Sequence, residues 1–188
     1  MADIEVKHLQ EKTIASEKIF DGKIFNVTRD TVILENGAEA LREVVHHSGG
    51  VCVLPIDDEG NTYLVKQFRY PFSSVLLEAP AGKINEGETN PLDCGKRELE
   101  EEIGAVAKNY MPLGVVYPTV AYLTEKIHLY LATDLSFTNA HLDEDEFLDV
   151  IKMPLDDAVA LVLENKIPDS KTQIALLKAY SLKMQGKL

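Results

Sequence analysis

The sequence predicts an α/β (α+β) protein, with mixed strands covered by helices and a small antiparallel sheet at the N-terminus. Three patterns point there. Residues 13–45 alternate apolar and polar side chains between Asp21-Gly22 and Asn36-Gly37 turns. Residues 50–56 form an apolar run that turns at Asp57-Asp58-Glu59-Gly60-Asn61 and returns over 62–70. Strand-like and helix-like segments then intersperse to the end, which suits helices packed on a mixed sheet.

Taken in order, residues 13–20, 24–33 and 40–46 are expected as three short strands. A sheet of that size is marginal alone and needs a partner surface. Residues 50–56 read as a buried strand, 62–70 as its return and 75–78 as a short extended piece. Residues 91–103 read as a helix: Asn90 can cap it, Pro91 suits its first position and Gly104 can end it. Residues 126–132 and 146–153 follow as strands. Helices are expected over 155–165, after Pro154, and over 171–185, after Pro168-Asp169-Ser170. The organisation expected is an N-terminal sheet subdomain over 1–45 and a main domain over 46–188.

Composition narrows the function. The chain has 188 residues, 45% of them hydrophobic, enough to bury a core. Its net charge of −12 argues against nucleic-acid binding, which needs basic surface. A small anionic ligand stays possible if a cation offsets the field. No apolar run approaches the roughly 18 residues of a membrane span, so no membrane partner is expected. The opening MADIEVKHLQEK has no apolar signal-type stretch. Cys52 and Cys94 match no zinc spacing and read as reduced thiols, so a cytoplasmic location is expected.

The chemical signal lies in Arg97-Glu98-Leu99-Glu100-Glu101-Glu102. Like charges one helical turn apart repel by a few tenths of a kcal/mol per pair, about 0.2–0.5. With Glu98 as origin, Glu101 falls near −60° and Glu102 near +40°, about 100° of helix surface in all. Leu92, Leu99 and Ile103 form an apolar stripe beside them, and Glu100 points away. Glu98 and Glu102 at i,i+4 can bind one hard cation through oxygen, with Glu101 joining or supporting them. The alternative on the helix alone is a solvated acidic face. Ahead of the helix, Gly82 allows close backbone approach and leaves carbonyls available for coordination.

The ordered set Gly82, Glu88, Arg97, Glu98, Leu99, Glu101, Glu102 and Gly104 resembles the Nudix box. Eight residues separate Glu88 from Arg97 where the usual pattern has seven, and the extra one fits the loop before Pro91. The resemblance implies a Nudix-type α/β/α sandwich that hydrolyses nucleoside diphosphates linked to another group. It implies Mg²⁺ as cofactor, with Mn²⁺ possible, held by Glu98, Glu101, Glu102 and the Ala81 carbonyl, while Glu88 supports the box through Arg97. Metal ions would neutralise phosphoryl charge and acidify the attacking water.

Further stretches resemble the ADP-ribose pyrophosphatase subgroup: Gln67-Phe68-Arg69-Tyr70, Leu77-Glu78-Ala79-Pro80-Ala81-Gly82 and the acidic loop from His141. That implies a homodimer through the N-terminal sheet, Arg69 and Glu78 at the substrate, and a loop carboxylate as general base. Glu144 is the first choice and Glu146 the second. Tyr117, Tyr122 or Phe25 can stack on a base, Tyr122 being the first choice, although aromatic residues in strands more often pack in the core. Thr119-Val120-Ala121 stands where the subgroup has Ser-Pro-Gly, so the substrate stays open between ADP-ribose and another nucleotide sugar such as GDP-mannose. A nucleotide sensor without catalysis is the reading from another class; sensors commonly lose the glutamates, which this chain keeps.

Overall fold

The computed structural model describes residues 8–85, 87–142 and 146–188. The chain divides into two compact units. One is the described part of Met1–Ser48 with Thr119–Glu125; the other is Gly49–Pro118 with Lys126–Leu188.

In the first unit, β1 (Lys12–Asp21), β2 (Asn26–Ile33) and β3 (Glu39–His46) form an antiparallel meander in that order. Ile24 falls outside β2, because the Gly22 N–H reaches the Phe25 carbonyl and closes a turn there. Tyr122 lies on the 119–125 segment, which runs beside β3: the Val45 N–H donates to the Tyr122 carbonyl at 2.7 Å, and Thr124 N–H donates to the Val45 carbonyl at 2.9 Å.

In the second unit, β4 (Gly50–Pro55) is buried along its whole length. It runs parallel to β9 (Ile127–Phe137) and pairs antiparallel on its other side with β7 (Ala81–Lys83). β8 (Ala105–Val116) completes the order β7-β4-β9-β8. A second sheet, β10-β5-β6, joins β5 (Asn61–Arg69) to β6 (Ser74–Glu78) and β10 (Leu148–Pro154).

Alternation along β4 decides which helix each face receives. Val51 and Val53 pack with Leu99 and Ile103 of α1 (Pro91–Ile103). Cys52 and Leu54 pack with the residues of α2 (Leu155–Leu163) and α3 (Ser170–Met184), among them Ala158, Ala175 and Leu176. The result is helix on sheet on helix, as an α/β reading of the sequence requires.

Two strands were not legible in the sequence. β8 contains Pro112 and Gly114, which read as strand breakers, and the ladder to β9 absorbs them with a register shift between those two residues. β7 is only three residues long and holds Gly82. β9 runs five residues past Ala132, the expected end, to Phe137. Tyr70, expected at the end of a strand, begins a short 3₁₀ turn because Pro71 cannot extend the ladder.

Candidate active site

The site is built on α1. The helix starts where the Leu92 N–H donates to the Asn90 side-chain oxygen at 3.2 Å. It stops at Gly104, which adopts the left-handed conformation at φ 65° and sends its N–H back to the Glu100 carbonyl. Leu99 and Ile103 are buried on the sheet, and each such side chain contributes roughly 1.5–3 kcal/mol. That exceeds the few tenths by which neighbouring acids repel (about 0.2–0.5 kcal/mol per pair). The core therefore holds the carboxylates together against their own field.

Arg97 is the cation that organises them. Its Nη1 donates to Glu101 at 2.7 Å, its Nη2 lies 2.8 Å from Glu98 Oε1, and its Nε donates to Glu88 at 3.3 Å. Glu88 also accepts the Asn85 N–H at 2.7 Å, which ties down the loop before the helix. Glu88 thus reaches the box through Arg97 despite the extra residue. Glu101 is half-exposed and occupied by Arg97, so it braces Glu98 by way of the guanidinium.

Glu102 differs from the others. It is 2% exposed, and one of its oxygens accepts the Ala81 N–H at 3.3 Å. Burial, then the charges of Glu146 and Glu98, push its carboxyl up to about 9. Glu98 is raised too: burial dominates, Arg97 opposes it, and Glu101 and Glu146 add to it. Its carboxylate lies over Gly82, where an added Cβ would stand 1.9 Å from its Cδ. Gly82 matters here because it clears space for Glu98, a role the sequence did not show.

The loop before β10 brings in Glu146, whose Oε1 accepts from Gln67 Nε2 at 3.2 Å. The start of that connection, after β9, is tied to α1 by a hydrogen bond from the His141 N–H to the Glu101 carbonyl, 2.9 Å. Glu144 lies outside the described residues. Ala81 pairs with Cys52 across β7 and β4, which fixes the backbone next to Glu102. The structure thus gathers Ala81, Glu98, Glu102 and Glu146, with Glu101 one step removed behind Arg97. Tyr122 belongs to the first unit.

Oxygen donors alone, two of them with carboxyls raised by mutual charge and burial, fit a hard divalent cation. Among the described residues no three His, Cys, Asp or Glu side chains are already drawn together as a metal cage. Glu98 is shared with Arg97, so ligation would compete with that ion pair. Arg69 and Glu78 form a separate, tightly bonded pair: Arg69 Nε and Nη2 donate to the two Glu78 oxygens at 2.6 and 2.8 Å. Their buried third partner, Lys171, is not predicted by any local pattern.

Comparison with known proteins places these features in context. A family model described as the NUDIX domain matches residues 46–177. One described as the nucleoside diphosphate sugar hydrolase N-terminal domain matches residues 11–45. The chain is 42% identical over 173 residues to an ADP-ribose pyrophosphatase of Bacillus subtilis (strain 168), covering 91% of this chain and 93% of that protein. It is 31% identical over 148 residues to a GDP-mannose pyrophosphatase of Yersinia pestis (strain Pestoides F), covering 73% and 74% of the two. A crystal structure of an ADP compounds hydrolase superposes with a TM-score of 0.83 at 22% identity, covering 98% of this chain and 100% of that one.

Proposed function

The chain belongs to the Nudix family, and from that premise we propose that it hydrolyses the pyrophosphate bond of ADP-ribose or a related nucleoside diphosphate sugar, with Mg²⁺. One observation carries the reading. Glu98 and Glu102 are packed against Ala81 and Gly82 with a charge problem that a dication would resolve. Nudix hydrolases are in general divalent-metal dependent, and the all-oxygen donor set favours Mg²⁺, with Mn²⁺ as substitute.

When bound, the ion neutralises phosphoryl charge and acidifies water. The chain's own residues do the rest. Glu98, Glu102 and the Ala81 carbonyl hold the cation, and Arg97 keeps Glu98 and Glu101 in register. A carboxylate of the 141–146 loop, Glu144 first and Glu146 second, removes the proton from the attacking water. Arg69 offers a guanidinium to the phosphates, and Glu78 orients it. The ADP-ribose case gives AMP and ribose 5-phosphate.

Thr119-Val120-Ala121 keeps the sugar open, so the decisive measurement is a panel of ADP-ribose, GDP-mannose, UDP-glucose, NADH and diadenosine polyphosphates with Mg²⁺. Release of AMP and ribose 5-phosphate from ADP-ribose, faster than cleavage of the other members, is the expected outcome. A folded protein that binds nucleotide and cleaves none of the panel is a sensor.

The same reading includes a homodimer through the N-terminal sheet. β1 is exposed along its full length, and Ile14, Ile19 and Phe20 lie exposed on it. Sedimentation equilibrium is expected to give twice the 20.9 kDa chain mass; the monomer mass removes the dimer. Cys52 and Cys94 are free, buried thiols, which supports the cytoplasm as the place of action. No helix among the described residues is long and apolar enough to cross a membrane.

A further inference from the structure

Lys171 is 8% exposed and Glu78 2%, in a chain whose other lysines mostly face solvent. The Lys171 ammonium donates to Glu78 Oε2 at 2.5 Å and lies 3.0 Å from Asp169 Oδ2. The same Glu78 oxygen accepts from Arg69 Nη2, while Oε1 accepts from Arg69 Nε. Among the described residues, the only hydrogen bonds of the Arg69 side chain are these two, made by Nε and Nη2.

The first turn of α3 is fastened to the same stretch by its backbone. Thr172 Oγ1 accepts the Ala79 N–H at 2.7 Å and donates to Asp169 Oδ2 at 2.6 Å. Asp169 Oδ2 also accepts the Thr172 N–H at 3.0 Å and so caps the helix. Ala79 is two residues from Ala81. The helix that carries Lys171 therefore grips the short link between β6, which ends at Glu78, and β7, which begins at Ala81.

Burying a lysine is costly, and stability alone rarely calls for it: buried ion pairs replaced by packed apolar groups are often neutral or more stable. Orientation gives a better reason. A carboxylate held by one flexible arginine can swing with it, and the guanidinium is then free to turn toward solvent. With Lys171 fixed on Oε2, the carboxylate is pinned inside the protein. The guanidinium plane is set by two parallel bonds, and its Nη1 corner is left for an anion.

We propose that Lys171 is a positioning residue which, through Glu78, fixes the Arg69 guanidinium for the phosphates of the substrate. This rests on the reading of Arg69 as a phosphate contact in a nucleoside diphosphate hydrolase.

Steady-state kinetics on the full chain with Mg²⁺ and ADP-ribose test it, using Lys171→Met, Arg69→Ala and the double variant. Lys171→Met is expected to raise KM about ten- to hundredfold with kcat changed far less, as lost ground-state orientation would do. The double variant is expected to match Arg69→Ala in KM, because Lys171 acts only through Arg69. A folded Lys171→Met with wild-type KM overturns the proposal, as does a double variant whose KM increases multiply. A merely structural lysine would lower Tm and the active fraction and leave KM alone. Should Lys171→Met fail to fold, Lys171→Gln keeps a donor without charge, and the same KM rise and the same non-additivity are read from it. A wild-type chain that cleaves no panel member overturns the hydrolase reading and this proposal together. Wild-type cleavage with an unmoved KM in the variants overturns this proposal alone.

Discussion

Glu102→Gln is expected to lower kcat/KM about a thousandfold, roughly 4 kcal/mol of transition-state stabilisation, while the metal-free protein becomes less sensitive to alkali. Both effects come from one buried carboxyl. In the folded chain its pKa is pushed up to about 9, against 4.5 for the free group. Between those values the folded state keeps a proton that the unfolded state has lost. Stability of the metal-free form therefore falls as pH rises from about 4.5 to about 9. A neutral amide of the same shape has no such slope. Urea unfolding of the metal-free proteins at pH 5, 7 and 9 reads this directly: the wild type weakens across the series and the variant does so less.

The same proton reports on the site's purpose. A cation that binds Glu102 must displace it, so Mg²⁺ binding near pH 8 is expected to release about one proton from the wild type and none from Glu102→Gln. Calorimetry in two buffers of different ionisation enthalpy measures that number. Wild-type turnover in the variant, or equal proton release from both, would remove Glu102 from the metal site.

How much of this was legible beforehand follows from the range of each interaction. The α1 helix could be read because its signals are local: Asn90, Pro91 and Gly104 lie within the helix or next to it, and the observed bounds are Pro91–Ile103. The Glu98–Glu102 pair could be read for the same reason. Lys171 could not. It meets Glu78 across 93 positions, and nothing near it in sequence distinguishes it from the solvent-facing lysines of α3. β8 was hidden because Pro112 and Gly114 argue locally against a strand, and only the long ladder to β9 overrides them. Cys94 and Gly95 are buried as well, and being small they add little to the apolar stripe of Leu92, Leu99 and Ile103. The acids proposed to hold the cation were thus legible together with Arg97, their neighbour on the helix, whereas Lys171, proposed to fix Arg69, was not.

Gly82→Ala tests the geometry of those acids with a single methyl group. The new Cβ would stand 1.9 Å from both Cδ and Oε1 of Glu98 and 2.5 Å from Oε2. Such contacts cannot persist, and the flexible partner gives way: Glu98 swings off Gly82 while the strand stays. Gly82 does not have positive φ, so alanine fits its backbone, and β7 lies at the edge of its sheet. Stability is expected to change by only about 1 kcal/mol. Activity is expected to fall about a hundredfold or more, because Glu98 no longer faces Ala81 and Glu102, and Mg²⁺ should bind more weakly. Gly60→Ala supplies the contrast. There φ is +82° and no atom lies within 4 Å, so alanine strains the turn and costs about 1 kcal/mol without touching the acids. Its kcat/KM should stay at the wild-type value. Combining Gly82→Ala with Glu98→Ala should cost no more than Glu98→Ala alone, since the methyl group then meets empty space. An additive loss in that pair, or full activity in Gly82→Ala, would mean that Glu98 does its work from some other position.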